Sequence, residues 1–259
     1  MPVLLQEGQA PAPAPAREEA VRHSPARPTH AFLLAWSARH AVLVASSTVA
    51  TQVLLATQRL EAQRGLLMLV WAVPIALSFA KLWFRAPAET ASGARFAAPN
   101  WITAARLVSA VGLCATGASD RALSLGVFLV WAMDGLDGYL ARRLERTSEL
   151  GAWFDMESDA MLVLVASLGY VRGGAPGYIV ATAGMLRYWY LLITARFPPR
   201  RQVPRSRIAR LAFGAHVLLL CAGLAFHDPV ARWVLGFLGS AVVLASFGRS
   251  FVYAYRNEP

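Results

Sequence analysis

Four aspartates set into sequence apolar enough to cross a bilayer constrain this chain more than any other feature. They come in two pairs, Asp134 with Asp137 and Asp155 with Asp159, inside the stretch DGLDGYLARRLERTSELGAWFDMESD. On a helix, residues three apart lie within roughly 60° of one another, so Asp134 and Asp137 share a flank that Gly138, Ala141 and Arg142 continue. Gly151, Asp155 and Asp159, spaced i, i+4, i+8, share one face of the next helical segment. The polar link between them, Arg143 to Leu150, is short enough to make the two segments antiparallel neighbours, so their acidic faces can meet.

Carboxylates gathered at a membrane surface repel one another and lose hydration, which is costly unless something compensates. Cations must share the site. All the ligands are oxygens, and no Cys or His stands nearby at metal spacing, which selects hard divalent ions such as Mg²⁺ or Mn²⁺. Such ions keep positions open for phosphate oxygens. Gly135 and Gly138 let a bulky polar group approach the backbone, and Arg142 offers a planar cationic fork suited to phosphate. Together these residues describe a diphosphate site.

The spacing Asp134-x2-Asp137-Gly138-x2-Ala141-Arg142-x8-Gly151-x3-Asp155-x3-Asp159 resembles, position for position, the signature of the CDP-alcohol phosphatidyltransferase family. The similarity runs from about Pro99 to the C-terminus, with the signature as its diagnostic part. It implies an integral membrane enzyme that moves a substituted phosphate from a CDP-linked donor, such as CDP-diacylglycerol, to an alcohol, releasing CMP in phospholipid biosynthesis. By the same resemblance Asp134, Asp137 and Asp155 hold two divalent ions on the CDP diphosphate. Asp159 deprotonates the acceptor hydroxyl and also touches a metal. Gly138, Ala141, Arg142 and Gly151 line the substrate side. The resemblance also implies a homodimer. A CDP-choline or CDP-ethanolamine type phosphotransferase acting on a lipid alcohol is the alternative within the family.

Of the 259 residues, 56% are hydrophobic and 15% charged, a membrane composition. The net charge of +10 comes from arginines that fall between apolar runs. That placement fits membrane topology and anionic headgroups and sets nucleic acid aside as a partner. Cys114 and Cys221 lie in apolar spans without metal-ligand spacing, as small core residues.

The expected fold is all-α, a polytopic transmembrane bundle of eight spans in which a six-helix family core follows about two extra helices. Residues 1–30, with the run PAPAPA, read as a disordered cytoplasmic tail. Residues 31–86 read as an accessory transmembrane hairpin, with spans near 40–57 and 66–84 and with Arg39 and His40 at headgroup level. Residues 87–99 form a linker, and 100–259 the core, with spans near 101–117, 122–140, 151–171, 178–195, 208–226 and 230–253. The eight-span count puts the arginine-rich loops, and both aspartate pairs, on one side. By the positive-inside tendency that side is cytoplasmic, in the cell inner membrane.

Several residues carry two readings. Asn100, Thr103 and Arg106 form an Asn-x2-Thr-x2-Arg run that is similar to the start of the family core beside the nucleotide; singly, they read as an N-cap and a snorkelling arginine. Arg187, inside RYWY, is an intramembrane charge that needs a partner or a substrate. Glu157, roughly 160° from Asp155 on its helix, is the favoured partner. His216 reads as a hydrogen-bonded core residue. Arg205 and Arg207 are candidates for an acceptor phosphate or for plain attraction to anionic lipid. Their loop lacks the Gly-Lys-x-Lys-Thr-like run of many relatives, which leaves the acceptor open. Intramembrane prenyltransferases and cation transporters are the rivals outside the family. The short separation of the motifs argues against the first, and Arg142 with the paired glycines against the second.

Overall fold

The computed structural model describes residues 28–56, 64–85, 98–115, 119–143, 149–171, 175–201, 203, 206–226 and 228–256; the side chains of 28–31, 55–56, 64–70, 83, 85, 98–100, 114–115, 135–143, 149–150 and 175 fall outside that description. Among the described residues the secondary structure is wholly helical. The helices are α1 (Pro28–Ala56), α2 (Arg64–Arg85), α3 (Ala98–Ala115), α4 (Asp120–Arg143), α5 (Glu149–Val171), α6 (Ala175–Gly184), α7 (Leu186–Arg196), α8 (Arg207–Ala225) and α9 (Pro229–Tyr255).

The bundle is organised around α5. From Ala160 to Val171 every residue of this helix is buried, so it is apolar all round, the pattern of a helix at the centre of a bundle. Helices α1, α3, α4, α6 and α8 pack against it. Two close approaches depend on glycine. A Cβ at Gly184 would lie 2.5 Å from Ser167 Oγ, so only glycine lets α6 close on α5. Gly223 and Gly236, on α8 and α9, admit the ring of Tyr170 between them, and its hydroxyl donates to the Leu220 carbonyl at 2.9 Å.

The outer faces carry large exposed apolar side chains, among them Leu77 at 65%, Val108 at 71%, Leu211 at 73% and Val252 at 64%. Repeated on helix after helix, such exposure suits a lipid environment. Phe32–Leu54, Arg207–Ala225 and Pro229–Tyr255 are long and apolar enough to cross a membrane; Trp71–Leu82 and Trp101–Leu113 are shorter apolar helices among the described residues. The protein is a helical membrane bundle. Helix α5 carries Asp155, Glu157 and Asp159 in its first half, so its composition alone does not mark it as a span.

The boundaries differ from the sequence-based expectation at three points. Helix α1 begins at Pro28 rather than after residue 30, with proline in the first turn, where its missing N–H costs nothing. Helix α3 begins at Ala98, so Asn100 sits in its first turn rather than at the cap. The expected single span over 178–195 is interrupted at Met185, where the chain tightens to i+3 bonds: Met185 N–H donates to Thr182 O at 3.1 Å and Tyr188 N–H to Met185 O at 2.9 Å. The interruption follows directly on Gly184, where α6 is pinned against α5 before α7 turns toward α1.

At the far end of α4, Asp120 pairs with Arg232, which also donates to Gly169 O at 3.0 Å. Asp228 caps α9: its carboxylate accepts from the backbone N–H of Ala231 at 2.8 Å, with Pro229 at the first helical position. Cys221 is buried and free; the side chain of Cys114 lies outside the described residues. The tail up to residue 27, the 86–97 segment of the linker and the 144–148 turn also lie outside them.

Candidate active site at the aspartate cluster

Helices α3, α4 and α5 meet where the signature aspartates lie. Asp134, near the C-terminal end of α4, and Asp155 and Asp159, in the first half of α5, bring carboxylate oxygens within 4.8 Å of one another. Their side chains remain 37%, 43% and 24% exposed, so the cluster opens to its surroundings. Gly151 lies one turn before Asp155 on the same face and is half-buried. Asp137, Gly138, Ala141 and Arg142 continue the same helix as Asp134, but their side chains lie outside the described residues.

Among the described residues, one arginine is set into the cluster. Arg106 comes from α3 and its side chain is fully buried. One terminal nitrogen donates to Asp134 Oδ1 at 2.8 Å and to Asp155 Oδ1 at 3.0 Å. The other donates to Asp159 Oδ1 at 2.7 Å, and Nε donates to the Val130 carbonyl at 3.2 Å. The snorkelling reading of Arg106 is therefore wrong: the guanidinium turns inward because three carboxylates offer it better partners than a headgroup would. Among the described residues, three carboxylates thus face one guanidinium.

That surplus decides whether the residues fit metal ions. The donors are all carboxylate oxygens, they lie within 4.8 Å of one another, and among the described residues one guanidinium faces three of them. The set fits a hard divalent cation, which Asp134, Asp155 and Asp159 could hold.

A cavity of about 170 Å³ adjoins Asp159, lined also by Met156, Ala160, Arg187, Phe213 and His216. His216 is fully buried on the cavity wall, with Nδ1 against Gly239, whose backbone is its hydrogen-bonding neighbour, although the contact is too poorly aligned to be a full hydrogen bond. Nothing in the sequence distinguished His216 from other histidines in apolar helices.

Arg187 on the cavity wall has the partner expected of it: its terminal nitrogen donates to Glu157 Oε1 at 2.5 Å, on the face of α5 turned away from Asp155. Ser37 from α1 donates to the same oxygen at 3.4 Å. His40 also belongs to this side of the bundle. It is fully buried, stacked on Trp36 at 4.7 Å and hydrogen-bonded through Nδ1 to Ser78 Oγ at 2.9 Å, not interfacial as its position beside Arg39 suggested. Arg207 opens α8, exposed, and is not among the residues lining the cavity at Asp159; Arg205 lies outside the described residues.

A family model described as CDP-alcohol phosphatidyltransferase matches residues 96–245. The chain is similar to a CDP-diacylglycerol–glycerol-3-phosphate 3-phosphatidyltransferase of Pseudomonas fluorescens, 31% identical over 45% of this chain and 63% of that protein. It is also similar to a CDP-diacylglycerol–serine O-phosphatidyltransferase of Encephalitozoon cuniculi (strain GB-M1), 29% identical over 49% of this chain and 39% of that protein. The matches thus cover less than two thirds of either relative. No solved structure gives a significant match.

Proposed function

Because the chain belongs to the CDP-alcohol phosphatidyltransferase family, we propose that it transfers a phosphatidyl group from CDP-diacylglycerol to an alcohol, releasing CMP, in phospholipid synthesis. The two named relatives share CDP-diacylglycerol in their names and differ in the acceptor, which supports the donor and leaves the alcohol as the variable partner. The observation that carries the reading is the convergence of Asp134, Asp155 and Asp159 from two helices beside a cavity.

In this reading Asp134, Asp137 and Asp155, together with Asp159, would hold two divalent ions, which when bound would supply positive charge to the diphosphate and to the departing CMP. Asp159 takes the proton of the acceptor hydroxyl as its oxygen bonds to the phosphatidyl phosphorus. The bond from that phosphorus to the CMP oxygen breaks, and CMP leaves with the electron pair. Gly138, Ala141, Arg142 and Gly151 line the nucleotide side. The cavity beside Asp159 takes the acceptor, with His216 bonding a polar group of it, and Arg205 and Arg207 attract a phosphate where the acceptor carries one. Arg106 holds the carboxylates together before the ions arrive.

Residues 100–259 form the catalytic core, 31–86 an accessory hairpin, 87–99 a linker and 1–30 a tail. The site faces the cytoplasm from the inner membrane, where the arginine-rich loops lie, and the enzyme works as a homodimer.

The test is CMP release and product identification with the purified protein in bilayers, labelled CDP-diacylglycerol and a panel of alcohols. One alcohol gives a new phospholipid, EDTA stops the reaction and Mg²⁺ or Mn²⁺ restores it. Transfer that survives EDTA, or no transfer with any alcohol, overturns the proposal.

A further inference from the structure

Helices α1 and α2 lie outside the residues matched by the family, and between them runs a groove of about 420 Å³. Phe32, Trp36, Leu43, Pro74 and Leu77 line it, with Arg39 and Lys81 among the same lining residues. The groove is built rather than accidental: Trp36 Nε1 donates to Ser78 O at 3.0 Å and His40 fixes Ser78 Oγ from behind, so the two helices are held in register below it. Trp71 Nε1, donating to Thr48 Oγ1 at 3.0 Å, ties them again farther along.

The cations give the groove its meaning. Among the described residues, the arginines that point into the bundle have carboxylates: Arg106 has Asp134, Asp155 and Asp159, Arg187 has Glu157 and Arg232 has Asp120. Arg39 and Lys81 are exposed and have no carboxylate partner among the described residues, although Arg39 stands inside the apolar stretch Phe32–Leu54. A cation on a membrane-facing surface without a protein anion selects an anion from the membrane. The antiparallel hairpin places Arg39, seven residues into its span, and Lys81, near the end of α2, toward the same end. From Phe32 to Leu43 the groove covers about 16 Å of helix.

We infer that this groove binds one anionic phospholipid, its phosphate held by Arg39 and Lys81 and an acyl chain lying along Trp36, Leu43, Pro74 and Leu77. The zwitterionic lipids fit less well, because their own ammonium competes for the phosphate and is repelled by both side chains. The site is independent of the transfer reaction proposed above, so either can fail without the other.

Native mass spectrometry of the full chain released from bilayers of equal phosphatidylglycerol and phosphatidylcholine reads the lipid retained. The expected result is one phosphatidylglycerol held in preference to phosphatidylcholine. The Arg39→Gln/Lys81→Gln double variant loses that preference by about tenfold or more. Arg39→Lys/Lys81→Arg keeps it, which separates loss of charge from loss of fold. Arg249→Gln, an exposed cation on α9, also keeps it. Equal retention of both lipids by the unmodified protein overturns the inference, as does an unchanged preference in the double glutamine variant. So does a Leu77→Cys chain that cross-links quantitatively to a second copy in the bilayer, since the groove then belongs to a protein interface.

Discussion

Two clusters of charge lie on opposite faces of the first half of α5, and they are built on opposite terms. On one face Asp155 and Asp159 join Asp134 around Arg106, with the carboxylate side chains 24–43% exposed. On the other, Glu157 is fully buried and meets Arg187 one to one. The second cluster is balanced, as a structural ion pair must be, because unpaired charge in a membrane bundle is expensive. Among the described residues the first sets three carboxylates against one cation. What distinguishes the candidate active site from its structural neighbour is therefore the ratio of carboxylates to cations among the described residues.

The sharpest way to break that comparison is Asp159→Asn. It keeps the shape and the hydrogen bond from Arg106 but removes the base, so CMP release should fall by about a thousandfold or more, while Glu157→Gln should leave some transfer. Turnover near the unmodified rate, measured as labelled CMP, removes Asp159 from the proposed chemistry. Next in size is the balanced pair. Glu157→Gln strands Arg187 in the bundle and should cost about 3–5 kcal/mol, read as a lower thermal midpoint in detergent, with the Glu157→Gln/Arg187→Met double variant recovering part of it. An additive double variant would show that the two side chains do not act as a pair.

The open cluster should respond differently. Arg106→Gln removes its only cation among the described residues, and should destabilise the protein by about 2–3 kcal/mol in EDTA. Added Mg²⁺ should recover much of the loss, because ions that bind the folded state alone stabilise it. The same Mg²⁺ titration on Glu157→Gln should recover nothing. An equal response in both variants would erase the distinction between the two clusters. The smallest effect is expected at the intermediate case: Asp120 and Arg232 are paired with side chains 28% and 15% exposed. Asp120→Asn should cost about 1 kcal/mol, by the same thermal assay.

Much of this arrangement is legible in the amino-acid sequence. The aspartate spacing placed Asp155 and Asp159 on one face of a helix and Glu157 on the other, and the folded chain has that division. The helices expected around 122–140, 151–171, 208–226 and 230–253 are present with ends shifted by a few residues. The misreadings share a cause. His40 looked interfacial beside Arg39, yet it is buried by Trp36, Phe79 and Tyr188. The span over 178–195 looked continuous, and a contact of Gly184 with Ser167 precedes its break. Each depends on what a distant segment brings into contact.

The sequence by itself determined which side chains share a helix face, because a rotation of about 100° per residue is a local property that spacing encodes. It therefore set the two acidic faces of α4 and α5 and the apolar circumference of the central helix. The Arg187–Glu157 pair was legible as well, but only the tertiary structure decided which cation answers the aspartates. Arg106 reaches Asp134, Asp155 and Asp159 across 28, 49 and 53 positions, and nothing local to any of them specifies that meeting. It comes from how α3 is seated against α4 and α5, and packing is a property of the whole bundle.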